Sequence, residues 1–459
     1  METRPDYLST RSARSRSLNL NVRGLQQSAT LAINEQSDAL RREGRRIYKL
    51  GLGQSPFPIP TEVVNALKLH AHEKDYLPVT GLPALRQAVA EFHRNKDRVD
   101  AQPDGVLVGP GSKELMFLLQ LAFYGELIVP SPSWVSYVPQ ANILGRKVRL
   151  VHTTFEENWR VSPHCLERIC AADPDRPRIL VLNYPGNPEG GSYSAPELEE
   201  LAAIARRFGV ILLSDEIYGQ LHHQGTHVSV ARFYPEGTII SSGLSKWCGA
   251  GGWRLGTFTF PPDLSWLMEA IAAVASETYT SVSAPIQYAA VRAFQDGTPI
   301  ERYLRHVRRI LAALGRRCTF ILQQAGVRVH APVGAFYLFP DFSPFMAQLA
   351  QGGITNSVAF CERLLHDTGV AVLPGAAFQR PAEELTARLA YVGFDGVKAL
   401  AASELFPLDQ DLPEDFIDLW CEDVIEATQR TAEWVSDKRH GKVVSFTDQR
   451  KEKPRRVAA

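Results

Sequence analysis

Short apolar runs alternate with longer amphipathic segments through the middle of this 459-residue chain. The run VLV at 106–108 precedes a glycine turn and the helical pattern KELMFLLQLAF, and ELIV at 126–129 precedes a second helical segment and VRLV at 148–151. Apolar runs that do not alternate with polar residues are typical of strands buried on both faces. The pattern therefore predicts a largely parallel sheet with helices on both sides.

Three more buried strands are predicted further along the chain. They are RILVL at 178–182, VILLS at 210–214 and GTIISS at 237–242. Between the first two, Ser194 and Glu197 have the spacing of a capping box. This spacing indicates that a helix with the sequence ELEELAAIARRF starts there. The alternation of strand and helix assigns this part of the chain to the α/β class.

The regular alternation of strands and helices ends at about residue 305, where a long basic helix is predicted. Fewer and shorter β-type runs follow, which favours a smaller α+β domain. Its predicted elements are a strand at AFYLF (335–339), a helix at 357–367, and strands at VAVLP (370–374) and ARLAYV (387–392).

These patterns predict two domains and two terminal extensions, as a chain of this length leads us to expect. The ends are basic, polar and poor in apolar residues, which is typical of solvated segments. The predicted division is a disordered arm at 1–27, a segment at 28–60 that packs on the small domain, a large domain at 61–304, a small domain at 305–437 and a flexible tail at 438–459.

Composition excludes several classes of function. The chain has 50 basic and 50 acidic residues and therefore no net charge, so neither a nucleic acid nor a membrane surface is expected as a partner. The longest uncharged run, 127–145, holds three prolines and is interpreted as strand, loop and helix. The six cysteines form no C-x-x-C pair, which predicts reduced thiols in a cytoplasmic protein and no metal site.

Chemically suggestive residues follow the predicted strands, where open α/β sheets bind their ligands. An aromatic ring, a carboxylate, a phenol, an amide, a lysine and an arginine facing one crevice suit a planar ligand that carries a phosphate. Pyridoxal 5'-phosphate meets each requirement, because its aldehyde condenses with a lysine, its ring nitrogen needs a carboxylate, and its phosphate needs a helix start and an arginine.

Several motifs in one order now resemble a known family. The stretch GLSKWCGAGGWRLG at 243–256 resembles the lysine-attachment signature of class I and II aminotransferases, which are fold-type-I pyridoxal-phosphate enzymes similar to aspartate aminotransferase. NYPGNPEG at 183–190 resembles the turn N-P-x-N-P-T-G of that family and departs from it at Glu189. The resemblance runs from about Ser28 through YLPVTGLPALR at 76–86 to ARLAYV, and thus covers most of the chain.

The resemblance implies how the cofactor ring is held. Lys246 is the residue of covalent attachment, and Asp215 is the partner of the ring nitrogen. Asn187 and Tyr218 donate to the phenolic oxygen of the ring, and Trp134 stacks on it. Lys246, Asp215 and Tyr218 are accordingly the expected catalytic residues.

The resemblance also implies a phosphate site at the turn GPGSK and at Arg254. Where the family often has a serine three residues before the lysine, this chain has Gly243, so either a phosphate contact is missing or Ser242 or Ser245 replaces it. Tyr76 resembles a tyrosine that reaches the phosphate of the neighbouring subunit, which implies a homodimer. The phosphate residues from the turn are Gly111, Ser112 and Lys113.

Substrate recognition is implied at Arg388, which matches the arginine that binds the substrate α-carboxylate, with Gly53 and Asn187 nearby. Lys113 resembles a lysine that helps to recognise a side-chain carboxylate in some bacterial aspartate aminotransferases. The segment 277–287 contains no arginine, so the alternative of a second arginine from the partner subunit is absent. Glutamate is therefore predicted as an amino donor.

The leading hypothesis is a ping-pong aminotransferase that acts on an L-α-amino acid and a 2-oxo acid, with either aspartate- or glutamate-like or broader specificity. Another reaction on the same cofactor stays open, namely carbon–sulfur β-elimination, decarboxylation or cyclisation of an S-adenosylmethionine substrate as in an ACC-synthase-like enzyme. A ligand sensor fused to a DNA-binding module is disfavoured, because fewer than about sixty residues precede the resemblance and lack the hydrophobic pattern of a winged helix.

Overall fold

The computed structural model describes residues 18–25, 27–295 and 297–437. Each predicted strand is present, together with two that the sequence did not predict, at residues 48–49 and 256–259. The strands are β1 (Tyr48–Lys49), β2 (Val106–Gly109), β3 (Glu126–Ser131), β4 (Val148–His152), β5 (Arg178–Asn183), β6 (Ile211–Asp215), β7 (Thr238–Gly243), β8 (Gly256–Thr259), β9 (Tyr337–Leu338), β10 (Val370–Ala371), β11 (Leu373–Pro374) and β12 (Ala387–Ala390).

Helices separate most of these strands and cover the sheet. They are α1 (Ala29–Arg42), α2 (Thr61–Leu69), α3 (Pro83–Phe92), α4 (Ser112–Ala122), α5 (Tyr137–Ile143), α6 (Pro163–Ala171), α7 (Ala195–Arg207), α8 (Ser265–Thr278), α9 (Ala284–Phe294), α10 (Thr298–Gln324), α11 (Met346–Gln351), α12 (Ser357–Thr368), α13 (Gly396–Glu404), α14 (Phe416–Trp420) and α15 (Glu422–Ser436).

A seven-stranded sheet with the order β2-β8-β7-β6-β5-β3-β4 forms the centre of the fold. The strands β4, β3, β5, β6 and β7 pair in parallel, which confirms the predicted α/β class. Parallel pairing brings the carboxyl ends of β5, β6 and β7 to one edge of the sheet, and Asn183, Asp215 and Ser241 occupy neighbouring positions there. The predicted capping box at the start of α7 is also present.

The strand β8 was not predicted. It pairs antiparallel with both β7 and β2 and so lies between them in the sheet. Its residues GTFT are short and partly polar, which gives no strong strand signal. Gly256 permits this insertion, because a Cβ there would lie 2.1 Å from the backbone nitrogen of Ser112.

Both faces of the sheet are buried, as expected for a parallel sheet between helices. Successive residues of β5 point into different apolar clusters. Ile179 and Val181 pack with α4 and α8, whereas Leu180 and Leu182 pack with α6 and α7. This packing on both faces holds the strand ends that carry the polar side chains in place.

The C-terminal part differs from its predicted outline. The helix predicted near residue 305 begins earlier, at Thr298, and the stretch AFYLF contributes only a two-residue strand. VAVLP divides into β10, which pairs with β1, and β11, which pairs with β12 in the antiparallel order β11-β12-β9. The pairing of β1 with β10 joins the N-terminal segment to this part of the chain, and the domain boundaries at residues 60 and 304 stay predictions.

Two predictions concern residues that the structure does not describe. The expected tail at 438–459 and residues 1–17 and 26 of the expected arm lie outside the described residues. Within the described part of the chain, no helix is both long and apolar enough to cross a bilayer. All six cysteines are free, and the cytoplasmic location stays a prediction.

Candidate active site

Lys246 lies in the loop that leaves β7, with its amine turned into the protein. Its Nζ donates a hydrogen bond to the carbonyl oxygen of Gly53 at 2.7 Å and lies 5.6 Å from the ring centre of Tyr218. The pKa of Lys246 is lowered to about 8, mainly because the amine is buried and secondly because the positive charge of Arg388 is nearby. The neutral, nucleophilic form of this lysine is therefore accessible at mildly alkaline pH.

Asp215 ends β6 and is only 3% exposed. Tyr137 donates its hydroxyl hydrogen to Oδ2 of this carboxyl group, and Ser241 donates to Oδ1 at 3.3 Å. Burial raises the pKa of Asp215 to about 6, against the lowering effect of these donors and of the backbone N–H of Ile217. A cation placed beside this carboxylate would lower its pKa again, so the site favours a positively charged partner.

The turn after β5 is tied to the end of β6. The side-chain amide of Asn183 donates to the backbone oxygen of Asp215 at 2.8 Å, and its oxygen accepts from the backbone nitrogen of Asn187 at 2.9 Å. These two bonds fix Asn187 relative to Asp215. The buried Tyr218 follows three residues after Asp215, and its hydroxyl lies 2.7 Å from that of Tyr337.

Arg388 is a buried cation at the centre of β12, with only 1% of its surface exposed. Nη1 donates to Oδ1 of Asn187 at 2.9 Å and Nη2 donates to the carbonyl oxygen of Gly51, whereas Nε has no partner in the described part of the chain. Among the described residues, no carboxylate forms an ion pair with it. Since buried charges are normally paired, the unpaired guanidinium indicates a site for an anion that comes from outside the chain.

A cradle for a second anion forms where the chain enters α4. Gly111 has φ +91° and caps this helix, and a Cβ there would lie 2.2 Å from Nη2 of Arg254. Arg254 also has positive φ, at +56°, and donates from Nη1 to the carbonyl oxygen of Gly251 at 3.0 Å. A helix start beside an exposed arginine fits a phosphate group, because backbone N–H groups and the helix dipole both favour an anion.

The departure at Gly243 has a steric reason. A Cβ at this position would lie 2.7 Å from the carbonyl oxygen of Leu255, the residue before β8, so a serine does not fit without movement of the backbone. Ser242 is buried in β7 opposite Thr257, whereas Ser245 is partly exposed beside Lys246. Of the two candidate replacements, Ser245 is the more accessible.

Trp134 and Lys113 lie together at the mouth of the site. The Nζ atom of Lys113 lies 5.3 Å from the centre of the Trp134 ring, which in turn meets Tyr137 edge to face. Lys113 is exposed, but partial burial of its ammonium group and the nearby Arg254 lower its pKa. Within the described residues it has no acidic partner.

Glu189, where the sequence departs from the family turn, folds back over the turn itself. A Cβ at Gly186 would lie 1.5 Å from its Oε1 atom. Burial raises the pKa of Glu189 to about 8, so this side chain is mostly neutral at pH 7. It therefore adds little negative charge to the site.

Tyr76 lies apart from the other predicted residues. It occupies the loop between α2 and α3 and is 88% exposed. In a single chain its side chain thus faces solvent.

Two tyrosines of this site were not predicted. Tyr137 contacts Asp215, and Tyr337 contacts both Tyr218 and Arg388. In the sequence, Tyr137 ends the chemically suggestive stretch 130–137 after ELIV but was given no role of its own, and Tyr337 lies in the predicted strand AFYLF. A signal was available for Tyr137 in its spacing of three residues from Trp134, but none marked Tyr337 as different from a core aromatic residue.

The residues present fit pyridoxal 5'-phosphate, the cofactor that the resemblance implies. The positive charges of Arg388, Arg254 and Lys113 and the carboxylate of Asp215 all influence the pKa of the Lys246 amine. One anion fits the cradle at Gly111, and another fits the unpartnered Nε of Arg388. Within the described residues, no three acidic, histidine or cysteine side chains are grouped to hold a metal ion.

Comparison with known proteins shows the family and the fold to which this chain is similar. The model of a family described as aminotransferase class I and II matches residues 45–391. The aspartate/prephenate aminotransferase of Thermus thermophilus is 34% identical over 371 residues, which are 79% of this chain and 92% of that protein. The aspartate aminotransferase of Bacillus sp. (strain YM-2) is 31% identical over 382 residues, which are 81% and 93% of the two chains.

A solved structure shows the same similarity in three dimensions. It is the aspartate aminotransferase from Thermus thermophilus with maleate, which has a TM-score of 0.77 and 31% sequence identity. The similarity covers 91% of this chain and 99% of that one. The match therefore includes both the large sheet and the C-terminal part.

Proposed function

This chain belongs to the class I and II aminotransferases and is a pyridoxal-phosphate-dependent transaminase, and we propose that it moves amino groups between dicarboxylic L-amino acids and 2-oxo acids at Lys246. The observation that carries the proposal is the excess of positive charge around one lysine. Arg388, Arg254 and Lys113 lie near its amine, and Asp215 is the nearby carboxylate that raises its pKa. Such a site suits a ligand with a phosphate and carboxylates.

The bound cofactor supplies an aldehyde that condenses with amines and a protonated ring that accepts an electron pair. We propose that Lys246 holds it covalently and that Asp215 keeps the ring nitrogen protonated. Asn187 and Tyr218 serve as donors to the phenolic oxygen, and Trp134 covers one face of the ring. Gly111, Ser112, Lys113, Arg254 and Ser245 are the proposed phosphate residues.

The proton transfer is assigned to Lys246. With the substrate amine in the place of its own, Nζ would take the proton from the substrate α-carbon and, as the ammonium, would deliver it to the former aldehyde carbon C4' of the cofactor. The lowered pKa of Lys246 supports this role, because a neutral amine is needed to accept a proton. Arg388 binds the α-carboxylate, and the carbonyl of Gly53 orients the amine through the hydrogen bond at 2.7 Å.

Lys113 supports the preference for dicarboxylic substrates. Its ammonium group leans over Trp134 at the mouth of the site and has no acidic partner among the described residues, so it is available for a side-chain carboxylate. Maleate, which accompanies the similar Thermus structure, is itself a dicarboxylic acid.

We expect aspartate and glutamate to react fastest in single half-reactions of the holoenzyme. The measurement follows the loss of the visible absorption band of the lysine-bound cofactor with each amino acid in turn, together with release of the 2-oxo acid. Lys113→Gln should reduce the preference for aspartate and glutamate over alanine by about tenfold, because one charge-assisted hydrogen bond is lost. Lys68→Gln, an exposed lysine of α2, is the control and should leave the preference unchanged.

The substrate proposal is wrong if aromatic or sulfur amino acids react while aspartate and glutamate do not. Release of carbon dioxide, or of ammonia and a cleaved side chain, in place of the matching 2-oxo acid would contradict transamination itself.

We also propose that the active unit is a homodimer in which Tyr76 reaches the phosphate site of the partner subunit. The 88% exposure of Tyr76 and the exposure of Leu69 on the nearby end of α2 support this proposal, since large side chains so placed are typical of interfaces. The molar mass in solution should be about twice the 50.9 kDa of the chain. A fully active monomer would rule out the shared site.

A further inference from the structure

Tyr337 connects the parts of the site that bind different groups. It lies in β9, next to β12, and is only 1% exposed. Its hydroxyl lies 2.7 Å from that of Tyr218, and its ring centre lies 4.7 Å from the guanidinium carbon of Arg388. One side chain thus contacts both Tyr218, the proposed hydrogen-bond donor to the cofactor, and Arg388, the proposed binding residue for the substrate carboxylate.

The hydrogen bond between Tyr218 and Tyr337 has a preferred direction in the holoenzyme. A phenol has one hydrogen to donate and lone pairs to accept. If Tyr218 donates its hydrogen to the phenolic oxygen of the cofactor, that hydrogen is not available to Tyr337. Tyr337 must then be the donor, which leaves the Tyr218 hydrogen to point toward the cofactor.

Arg388 needs support from its surroundings because it has no carboxylate partner within the described residues. The face of Tyr337 lies against one side of the guanidinium, and the ring centre of Phe378 lies at 5.0 Å. Cation–π contacts of this kind stabilise a desolvated guanidinium and restrict its plane. They leave the edge with the unpartnered Nε free for a carboxylate.

Gly53 completes the fit around the Tyr337 hydroxyl. A Cβ at Gly53 would lie 1.9 Å from Oη of Tyr337, so only glycine allows this hydroxyl to occupy its position. The carbonyl oxygen of the same glycine accepts from Lys246. Tyr337 therefore also packs against the segment that orients the lysine amine.

We propose that Tyr337 is a positioning residue of this transaminase, whose hydroxyl donates to Tyr218 and whose ring holds the Arg388 guanidinium in the plane that receives the substrate carboxylate. This inference rests on the roles proposed above for Tyr218 and Arg388. Tyr337 acts through these two residues and not on the substrate itself.

The test of the hydroxyl is a pH titration of the visible spectrum of the bound cofactor. A hydrogen bond donated to the phenolic oxygen favours its deprotonated form and lowers the midpoint of the titration. Tyr337→Phe keeps the ring but removes the hydrogen bond donated to Tyr218, which makes the Tyr218 hydroxyl a weaker donor to the cofactor, so the midpoint should rise by roughly 0.5–1 pH unit. The charged or titratable groups around Tyr218 that remain in the variant are Asp215, Lys246 and Arg388.

The test of the ring is the KM of the amino acid and of the 2-oxo acid. Tyr337→Phe should leave both KM values within about twofold of the wild type, whereas Tyr337→Leu should raise both by about tenfold because the guanidinium loses its platform. Tyr391→Phe is the matched control, since this buried hydroxyl donates a long hydrogen bond of 3.5 Å to the carbonyl oxygen of Ala335. It should change neither the midpoint nor KM.

An unchanged midpoint in Tyr337→Phe together with an unchanged KM in Tyr337→Leu would overturn the role of Tyr337 while the proposed function stands. If the wild-type protein itself shows no band of a lysine-bound cofactor, the proposed function fails and this role fails with it.

Discussion

Replacing Lys246 with alanine is expected to slow both half-reactions by about 10⁴-fold, which is the upper range for the loss of a positioned general base. The amine is the group whose pKa the site lowers to about 8, and the carbonyl oxygen of Gly53 orients it at 2.7 Å. Single-turnover kinetics with aspartate, followed by the spectrum of the bound cofactor, measures the loss.

The variant must be shown to remain folded and to bind the cofactor. The cradle at Gly111 and Arg254 is unchanged in Lys246→Ala, so non-covalent binding should persist. A small primary amine added to the buffer should restore part of the rate, because it supplies the missing base. Lys68→Ala is the control for removal of a lysine and should react as the wild type does. Turnover of Lys246→Ala at the wild-type rate would contradict the role of this lysine.

Replacing Asp215 with asparagine is expected to lower kcat by about 10³-fold, as expected for the loss of one preorganised electrostatic partner of a reacting group. Asparagine keeps the size of the side chain but not its charge, so the ring nitrogen loses the group that keeps it protonated. Tyr137→Phe is the matched control, since it removes the donor to Oδ2 and keeps the carboxylate. Its effect on kcat should be about tenfold or smaller.

Cofactor binding by the wild type and by Asp215→Asn should differ in its dependence on pH. Asp215 has a pKa raised to about 6 in the free chain, so it is protonated below that pH and must lose its proton to pair with a cation. The affinity of wild-type apoprotein for the cofactor should therefore fall as pH falls below about 6, by up to tenfold per pH unit. In Asp215→Asn this fall should be absent. An affinity that falls equally in both proteins would assign the effect to another group.

Much of the fold could be predicted because parallel strands buried on both faces leave a strong local signal. The stretches 127–129, 179–182 and 211–213 are each apolar throughout, and each lies within a strand. The strand β8 left no such signal, since its four residues are mixed and its pairing depends on contacts distant in sequence. The division of VAVLP between two sheets likewise depends on which partner strand lies beside each half.

Candidate site residues could be proposed from the sequence where a motif fixes both residue type and local backbone. Lys246, Asp215 and Asn187 follow strand ends, and parallel pairing alone places such ends at one edge of the sheet. Tyr137 and Tyr337 were missed because an aromatic residue in a buried segment has the same pattern whether its hydroxyl contacts a reacting group or only fills the core. Their roles appear only from the atoms within reach of those hydroxyls.

Reduction of the purified holoenzyme with borohydride, followed by digestion and mass spectrometry of the peptides, tests most directly that one side chain holds the cofactor covalently. The reduction makes the linkage permanent, so the modified residue can be read from the fragment masses. We expect the added mass on the peptide that contains Lys246 and on no other peptide. A modification at a different lysine, or a fully active enzyme that carries none, would contradict the proposed chemistry.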